Sequence, residues 1–198
     1  MSPRTDEQFA AIRRKSRQAI LDAALELFAR EGYSGTSMSR IAGRVGISKG
    51  LIYNYFTGKE QILECILDEF VEKIMPAAAT TTGPHDPAHY LERIIRNWFE
   101  VVRNHPGLVS LGARIHTDPA LRRLFVRKQK EAETSTIPRL ARVMRKLGSR
   151  EPEVDMTLLG AALDGIALNY TVSPEDFPID RVERRLIRQY CTRKGRRT

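Results

Sequence analysis

Residues 36–59 read TSMSRIAGRVGISKGLIYNYFTGK, and this stretch decides the fold of the first third of the chain. Ile41 and Val45 lie four residues apart, and Ile52 and Phe56 repeat that spacing further on. Residues four apart share one face of an α-helix, so each pair predicts a short helix with one apolar side. The stretch therefore predicts two short amphipathic helices that pack on a common core.

The junction between these helices contains the residues that a tight turn needs. Gly46 permits a left-handed backbone, and Ile47 can fill the space between the two helices. Ser48 can accept a hydrogen bond from the first amides of the next helix and so cap it. These features predict one helix over 37–45 and another over 48–56.

The second of these helices leaves an exposed face formed by Lys49, Gly50, Tyr53, Asn54 and Tyr55. An amine, an amide and two phenols are groups that contact the phosphates and base edges of DNA. We therefore interpret residues 36–59 as a helix-turn-helix whose second helix enters the major groove. The alternative is an ordinary helical hairpin with exposed tyrosines, which the agreement of many positions at fixed offsets disfavours.

Apolar residues recur at helical spacing along almost the whole chain, and the alternation typical of strands is scarce. Further helices are predicted over 12–30, 59–75, 88–103, 108–116, 119–147, 154–170 and 179–191. The chain is therefore predicted to be all-α, with about nine helices in total. An N-terminal helix-turn-helix DNA-binding domain of three helices would occupy 1–58. A larger helical domain would occupy 59–198.

Local residues refine this plan in the second half of the chain. Residues 77–87, rich in Ala, Thr, Gly and Pro, are interpreted as a linker. Asp118 and Pro119 predict the start of the helix over 119–147, with Asp118 as its cap. Pro138 would bend that helix if it is continuous.

The charge of +9 is unevenly distributed. Residues 1–60 contain 10 Lys/Arg against 6 Asp/Glu, and residues 181–198 contain 8 against 1, whereas the body between them has a small acidic excess. A basic head suits a surface that binds phosphates. The basic tail over 193–198 is either a solvated end or an auxiliary DNA contact, and both interpretations remain open.

Several classes of protein are disfavoured by what the sequence lacks. It has no signal-peptide pattern and no apolar run of the ~20 residues that a membrane span needs, so we expect a soluble, cytoplasmic protein without a membrane partner. Cys65 and Cys191 are far apart, which argues against a disulfide framework. His85 and His89 are separated by Pro87 and do not predict a metal site. No nucleophile elbow or phosphate loop indicates an enzyme or a cofactor.

Residues 16–70 resemble the TetR-type (TetR/AcrR) family of transcriptional regulators. The resemblance rests on ILDAALELF at 20–28, EGYSGTSM at 31–38, IA at 41–42, VGISKGLIYNYF at 45–56 and KE at 59–60. It implies a transcriptional regulator, most often a repressor, that binds a palindromic DNA operator as a homodimer. It also implies that a small, largely apolar or aromatic effector releases the DNA.

The resemblance also implies roles for individual residues. Thr36 and Ser37 would bind phosphate at the start of the second helix, and Lys59 would bind another at the start of the fourth. Lys49 and Gly50 would approach base edges, while Tyr53 and Tyr55 would touch phosphates. Asn54 occupies a variable position that could set sequence preference. With the Ser48 cap, the predicted DNA-binding residues are Thr36, Ser37, Ser48, Lys49, Gly50, Tyr53, Asn54, Tyr55 and Lys59.

A single recognition helix reads few bases, so such modules usually bind as two-fold dimers. Small and apolar residues in the last two predicted helices fit a dimer seam, as the resemblance also implies. The candidates are Leu158, Ala161, Ala162, Gly165, Val182, Leu186 and Tyr190. The alternative, that these side chains pack inside one subunit, remains open for about half of them because every amphipathic helix also faces its own core.

The body also contains residues that could line an effector pocket, because the family binds small molecules there. The candidates are Trp98, Phe99, Val102, Leu111, Arg114, Ile115, Ile137, Met144, Asn169 and Tyr170. Tyr90 belongs to the same aromatic group, and His116 is a further polar candidate. For each apolar residue the alternative is an ordinary core position.

The sequence predicts a mechanism with one rival. Effector binding would favour a conformation in which the recognition helices no longer match successive major grooves, and the fourth helix would transmit the change. The rival is a DNA-binding regulator without an effector, whose body binds another protein. The operator, the effector, the regulated genes and the sign of regulation are not predicted.

Overall fold

The computed structural model describes residues 6–74, 86–115, 117–133 and 136–192, and its regular structure there is entirely helical. The ten helices are α1 (Asp6–Glu31), α2 (Met38–Val45), α3 (Lys49–Ile52), α4 (Lys59–Ile74), α5 (Pro87–Asn104), α6 (Pro106–Arg114), α7 (Pro119–Glu133), α8 (Thr136–Lys146), α9 (Pro152–Val172) and α10 (Ile179–Cys191). The predicted all-α class is confirmed, with one helix more than expected. His116, most of the 77–87 linker and the basic tail over 193–198 lie outside the described residues.

The additional helix arises where a single helix over 119–147 was expected. That stretch forms α7 and α8, and Pro138 lies in the first turn of α8. A proline lacks the N–H that a helix interior needs, and its ring clashes with the preceding turn, whereas the first turn tolerates both. The two residues between α7 and α8 lie outside the described part of the chain, so the predicted bend stays a prediction.

The recognition helix is also shorter than the predicted 48–56. After α3 ends at Ile52, the N–H groups of Asn54 and Tyr55 donate to carbonyls three residues back, at 3.1 and 3.0 Å. This tighter winding replaces the regular α-helical bonding over residues 53–55. Phe56 still donates to the Ile52 carbonyl at 3.1 Å, so the apolar pair keeps its predicted spacing.

The chain divides into two compact units. The first contains residues up to Glu69 together with Ser110–Arg122, and the second contains Phe70–Val109 and the residues from Arg123 onward. The first unit thus includes the helix-turn-helix, most of α4, and the end of α6 with the start of α7. The predicted boundary after residue 58 separates a DNA-binding domain from the rest by function, and it stays a prediction.

The first unit is built on α1, which packs against α2, while α2 packs against α3. Its fully buried side chains include Phe28, Ile41, Ile52 and Phe56. Burying each such side chain contributes ~1.5–3 kcal/mol, so these residues hold the short helices that would be marginal alone. The core therefore fixes the orientation of α3.

The second unit has α5 at its centre, with α10 and α8 packed against it and α9 packed against α8. The residues at its core include Leu91, Ile95, Phe99 and Val143. The largely buried Glu183 of α10 accepts hydrogen bonds from Arg103 at 2.5 Å and Arg96 at 3.4 Å, which pairs its charge with α5.

Two further observations concern the cysteines and the apolar character of the helices. Cys65 and Cys191 are both free thiols. Within the described ranges, none of the helices combines the length and apolar character that crossing a bilayer requires.

Candidate nucleic-acid interface

Two local caps set the start and end of α2. The Ser37 hydroxyl accepts a hydrogen bond from the Arg40 N–H at 3.2 Å. Gly46 has φ +78°, in the left-handed region that favours glycine, and the Ile47 N–H donates to the Ala42 carbonyl at 3.0 Å. The predicted turn at Gly46 is confirmed, and it redirects the chain into α3.

The start of α3 is held in the way the sequence predicts. The Ser48 hydroxyl accepts from the Leu51 N–H at 3.1 Å, while Ile52 and Phe56 are buried beneath the helix. The remaining side chains of this segment face solvent: Lys49 and Asn54 are exposed, Tyr53 is 47% exposed and Tyr55 is half-buried. The predicted contact residues of 48–55 are thus exposed or half-buried, and we call this set (Ser48, Lys49, Gly50, Tyr53, Asn54 and Tyr55) the recognition face.

Gly50 stands in the middle of the recognition face. A Cβ atom at this position would meet no atom within 4 Å, and the backbone there is not in the left-handed region. Nothing within the described part of the chain therefore requires glycine here. The open space is instead suited to a ligand whose surface approaches the backbone closely.

Two arginines of α1 support the recognition face, and sequence analysis did not identify them. Arg13 Nη2 donates to the Asn54 carbonyl at 3.3 Å, and its guanidinium carbon lies 5.8 Å from the Tyr55 ring centroid. Arg17 lies 4.9 Å over the Phe56 ring. The signal in the sequence is their spacing of four, which puts both guanidinium groups on the same face of α1.

The side chains of Thr36 and Lys59 donate hydrogen bonds to backbone carbonyls of their own chain. The Thr36 side chain is 98% buried, and its hydroxyl donates to the Gly32 carbonyl at 2.8 Å. Lys59 Nζ donates to the Tyr33 carbonyl at 2.8 Å and the Thr36 carbonyl at 3.1 Å, and it lies 4.5 Å from the Tyr33 ring centroid. Both residues hold the α1–α2 turn, and their contacts with phosphate stay predictions.

Acidic residues of α1 neutralise the arginines of α2. Arg40 binds Glu31 at 2.5 Å, and Arg44 binds Glu26 at 2.7 Å. Hydrogen bonds from Arg44 to Glu26 and from Arg40 to Glu31 are the main causes that lower the pKa values of these two carboxyls. Lys49 makes no ion pair with any described residue, so it offers a less neutralised charge to DNA.

The segment from the end of α6 to the start of α7 holds the end of α1. Arg114 Nε donates to the Ala29 carbonyl at 2.9 Å, and Nη2 donates to the Arg30 carbonyl at 3.1 Å. Asp118 accepts from the Ser34 hydroxyl at 3.2 Å and from the Ser34 N–H at 3.4 Å. We call these contacts of Arg114 and Asp118 the α1 clasp.

Asp118 also has the capping role that the sequence predicts. Its Oδ1 accepts from the Ala120 N–H at 2.8 Å and the Leu121 N–H at 3.3 Å. Partial burial acts to raise the pKa of Asp118, but the hydrogen bonds from Leu121, Ala120 and Ser34 outweigh it and lower that pKa. The charged form of the carboxyl is therefore the one that the clasp binds.

The predicted effector residues are distributed over both units. Trp98, Phe99, Val102 and Met144 lie in the core of the second unit, whereas Leu111, Arg114 and Ile115 belong to the first. Ile137 lines an open depression of about 340 Å³ on α8, and Met144 borders a cavity of about 20 Å³. Asn169 donates to the Gly165 carbonyl, and the Tyr170 ring packs against Phe177. Their role in effector binding stays a prediction.

The predicted dimer residues separate into two groups. Leu158 and Ala161 are exposed on α9, and Gly165 is half-buried there. Ala162, Val182, Leu186 and Tyr190 pack against the core of their own chain. Burial, and to a lesser degree Asp155, raises the pKa of Tyr190. A dimer role for either group stays a prediction.

Comparison with known proteins connects this geometry to a family. The family model described as bacterial regulatory proteins, tetR family, matches residues 20–66, which include α2, α3 and their caps. The segment that contains the helix-turn-helix is therefore a DNA-binding segment of the TetR-family type. The chain is similar over that segment and beyond it to transcription regulators.

Two curated relatives show where the similarity lies. The HTH-type transcriptional regulator SrpR of Pseudomonas putida is 40% identical over 58 residues, which are 29% of this chain and 27% of SrpR. The HTH-type transcriptional repressor AcnR of Corynebacterium diphtheriae is 25% identical over 153 residues, 76% of each chain. Identity is thus strongest in a segment of the length of the DNA-binding head.

A solved structure extends the likeness in fold to most of the chain. SmeT, a repressor from Stenotrophomonas maltophilia solved with triclosan, superposes with a TM-score of 0.68 at 20% identity. The match covers 89% of this chain and 90% of SmeT. The body therefore shares the family's fold although its sequence has diverged.

Proposed function

We propose that this TetR-family regulator is a cytoplasmic repressor that binds a palindromic operator as a homodimer. A small, largely apolar or aromatic effector releases it from the DNA. The observation that carries the proposal is the recognition face, a capped and exposed short helix anchored on buried Ile52 and Phe56. The repressor role is supported by AcnR, a relative over three quarters of the chain.

The charges of the DNA-binding head support a contact with DNA that depends on a small number of basic and polar side chains. The ion pairs of Arg40 and Arg44 with α1 remove part of the head's basic charge. Each phosphate contact releases counterions, so the number of contacts determines the salt dependence of binding. We expect the DNA affinity of one head to depend only modestly on salt concentration. Two heads are then needed for the affinity of sequence-specific binding.

An exposed apolar stripe on α9 supports the homodimer. It consists of Val154, Leu158, Ala161, Gly165, Leu168 and Val172, separated by four, three, four, three and four residues. Leu158 is 56% exposed and Val172 is 85% exposed in the single chain. This spacing is that of a coiled-coil seam, and small residues at its centre allow two helices to approach closely.

The α1 clasp supports a route from effector to DNA. α6 and α7 each continue from the clasp into the second unit, as α4 does from the head. A shift of α6 or α7 on effector binding would move Arg114 or Asp118, and with them the end of α1. This route adds to the predicted one through α4, and it makes the head sensitive to a conformational change in the body.

Operator binding and release test the proposal directly. Duplexes selected by the purified protein from a randomised pool are titrated by fluorescence anisotropy, with and without a panel of apolar and aromatic small molecules. We expect selection of a palindrome and at least tenfold weaker binding with one or more of the compounds that calorimetry shows to bind. Compounds that bind the protein without changing operator affinity would refute the effector part and favour a body that binds another protein.

A further inference from the structure

Three buried polar groups in the second unit lack the partners that buried groups normally have, and two of them, on Tyr90 and Arg139, are neighbours. Tyr90 of α5 is 94% buried, and its hydroxyl has no hydrogen-bond partner in the described structure. Nε of the half-buried Arg139, on α8, is likewise buried and without a partner there. The Arg139 guanidinium carbon lies 5.7 Å from the Tyr90 ring centroid, so the two groups are neighbours across the α5–α8 packing.

This arrangement is energetically unfavourable in the absence of a ligand. A buried donor without an acceptor carries the whole cost of its removal from water, and a charged donor carries more than a neutral one. In the half-buried Arg139 this cost applies to the Nε–H alone, and the residue forms no ion pair with the described residues. Its position over the Tyr90 ring supplies a weak cation–π contact, which does not satisfy the Nε–H. The pair is suited to a partner that is absent from the free protein.

The chemistry of the two groups defines that partner. The guanidinium is permanently charged and only donates hydrogen bonds, and the tyrosine hydroxyl can donate one as well. An anionic oxygen can accept from either donor, and a carboxylate has two oxygens that match a guanidinium. Leu91, Ile94 and Trp98 on the same helix give Tyr90 apolar neighbours in the core.

We infer that Tyr90 and Arg139 form a binding site for the carboxylate of a small molecule with an apolar body. The inference rests on the proposed function, because it names the chemical class of the effector. It changes the sequence-based expectation in one respect: the effector is apolar over most of its surface but carries one negative charge. A buried water could satisfy the hydroxyl, but it would leave the guanidinium without a counter-charge.

A headgroup series with one common tail tests the inference. Decanoate, decanol and decyltrimethylammonium are titrated into the full-length protein by calorimetry, below their micelle concentrations. A charge-assisted hydrogen bond in a buried site favours the matching charge, so we expect decanoate to bind at least tenfold more tightly than decanol. Decyltrimethylammonium should bind most weakly, because its charge repels the guanidinium.

Two variants locate the effect at the proposed residues. Arg139→Gln should reduce decanoate affinity about tenfold and leave decanol affinity unchanged, and Tyr90→Phe should act in the same direction. Arg142→Gln, an exposed position on the same helix, is the matched control and should keep the preference for decanoate. Tyr90→Phe should also raise the melting temperature of the ligand-free protein by ~2–4 °C, because it removes an unsatisfied buried hydroxyl. A purely structural role for that hydroxyl would lower it.

The outcomes separate this inference from the proposed function. Equal binding of the three compounds, binding of none, or a decanoate preference that persists in Arg139→Gln overturns the carboxylate site. Operator binding is measured in parallel with the same compounds. If decanoate binds through Tyr90 and Arg139 but operator affinity does not change, the carboxylate site stands and release of DNA by an effector at this site is refuted.

Discussion

Gly50 is the residue at which we predict that the absence of a side chain matters most for DNA recognition. The space around its Cβ position is open, so the folded head tolerates alanine. Alanine has the higher helix propensity, so Gly50→Ala should leave the melting temperature unchanged or slightly raised. If the backbone approaches DNA there, the methyl group should reduce operator affinity at least tenfold, as measured by anisotropy.

Gly43→Ala is the matched control for this prediction. Gly43 is also an exposed helical glycine of the head with open space around its Cβ position, and it is not a predicted DNA contact. Its substitution should preserve operator affinity. Equal affinity of Gly50→Ala and the wild-type protein would show that Gly50 does not approach the DNA.

Cys191 should be chemically inert in the folded protein. Burial, with a smaller effect of Glu92, raises the pKa of its thiol to about 12 from an ordinary value of 9.0. Because the thiolate is the reactive form, a Cys65→Ser protein should be labelled at about pH 8 only after unfolding. Rapid labelling of the native protein would contradict this burial.

The raised pKa of Cys191 also predicts that stability is lost as pH rises from about 9 through about 12. The reason is that the thiol of the unfolded chain loses its proton at a lower pH than the buried thiol.

Single-residue roles could be predicted from the sequence where they are local. The caps Ser37 and Ser48 and the turn at Gly46 follow from neighbours within a few positions. The internal contacts of Thr36 and Lys59 could not be predicted, because they depend on how α4 and the α1–α2 turn come together. Resemblance to a family names such residues as DNA contacts without showing that they also support the fold.

At the scale of the helices, the α1 clasp joins the start of α7 to the end of α1. Asp118→Ala removes both its cap and its bond to Ser34, and the loss of the cap alone should cost about 0.5–2 kcal/mol. The pKa of Asp118 lies below its ordinary value of 3.8, so this stabilisation is present above that pH and is lost as pH falls through the folded pKa. Thermal unfolding from pH 7 to pH 3 should therefore show a smaller decrease in Asp118→Ala than in the wild-type protein.

Asp118→Asn provides the control, because asparagine keeps the cap and removes only the charge. Its melting temperature at pH 7 should lie between those of the wild-type protein and Asp118→Ala. Identical pH profiles for all three proteins would show that the carboxylate contributes nothing to the clasp.

Helix positions were predictable from periodicity, but two helix ends were not. The spacing of Ile52 and Phe56 fits a continuous helix as well as a short helix followed by a tighter turn. Pro138 could equally bend a long helix or begin a new one, and it lies in the first turn of the described part of α8. In both cases the hydrogen bonds of a few residues determine where the helix ends, and the spacing of apolar residues does not predict those bonds.

At the scale of the whole molecule, the α9 stripe predicts the oligomeric state. Leu158→Asp would place a charge in the centre of a dimer seam, where it is desolvated without a partner. We expect at least tenfold weaker dimerisation in analytical ultracentrifugation and a matching loss of operator affinity. Thr157→Asp, exposed beside the stripe, should remain dimeric. A dimeric Leu158→Asp protein with unchanged DNA binding would refute the α9 seam.

The all-α fold could be predicted from the sequence. Which apolar helix faces pack in the chain's own core, and which are exposed to solvent, could not. Val182, Leu186 and Tyr190 pack against the core of their own chain, while Leu158 faces solvent. An apolar stripe on a helix does not reveal whether its own core or a partner covers it. The unpartnered Tyr90 and Arg139 were also beyond sequence analysis, because a missing hydrogen bond is a property of packing.

The central claim is that residues 36–59 read DNA, and selection from a randomised duplex pool tests it most directly. The wild-type protein should enrich a palindrome whose half-sites lie about one helical turn, or a multiple of it, apart. Tyr53→Phe should weaken binding to all sequences and reduce the salt slope, whereas Asn54→Ala should change which sequences are enriched. Failure of the wild-type protein to enrich any palindrome, or identical effects of the two substitutions, would contradict the account.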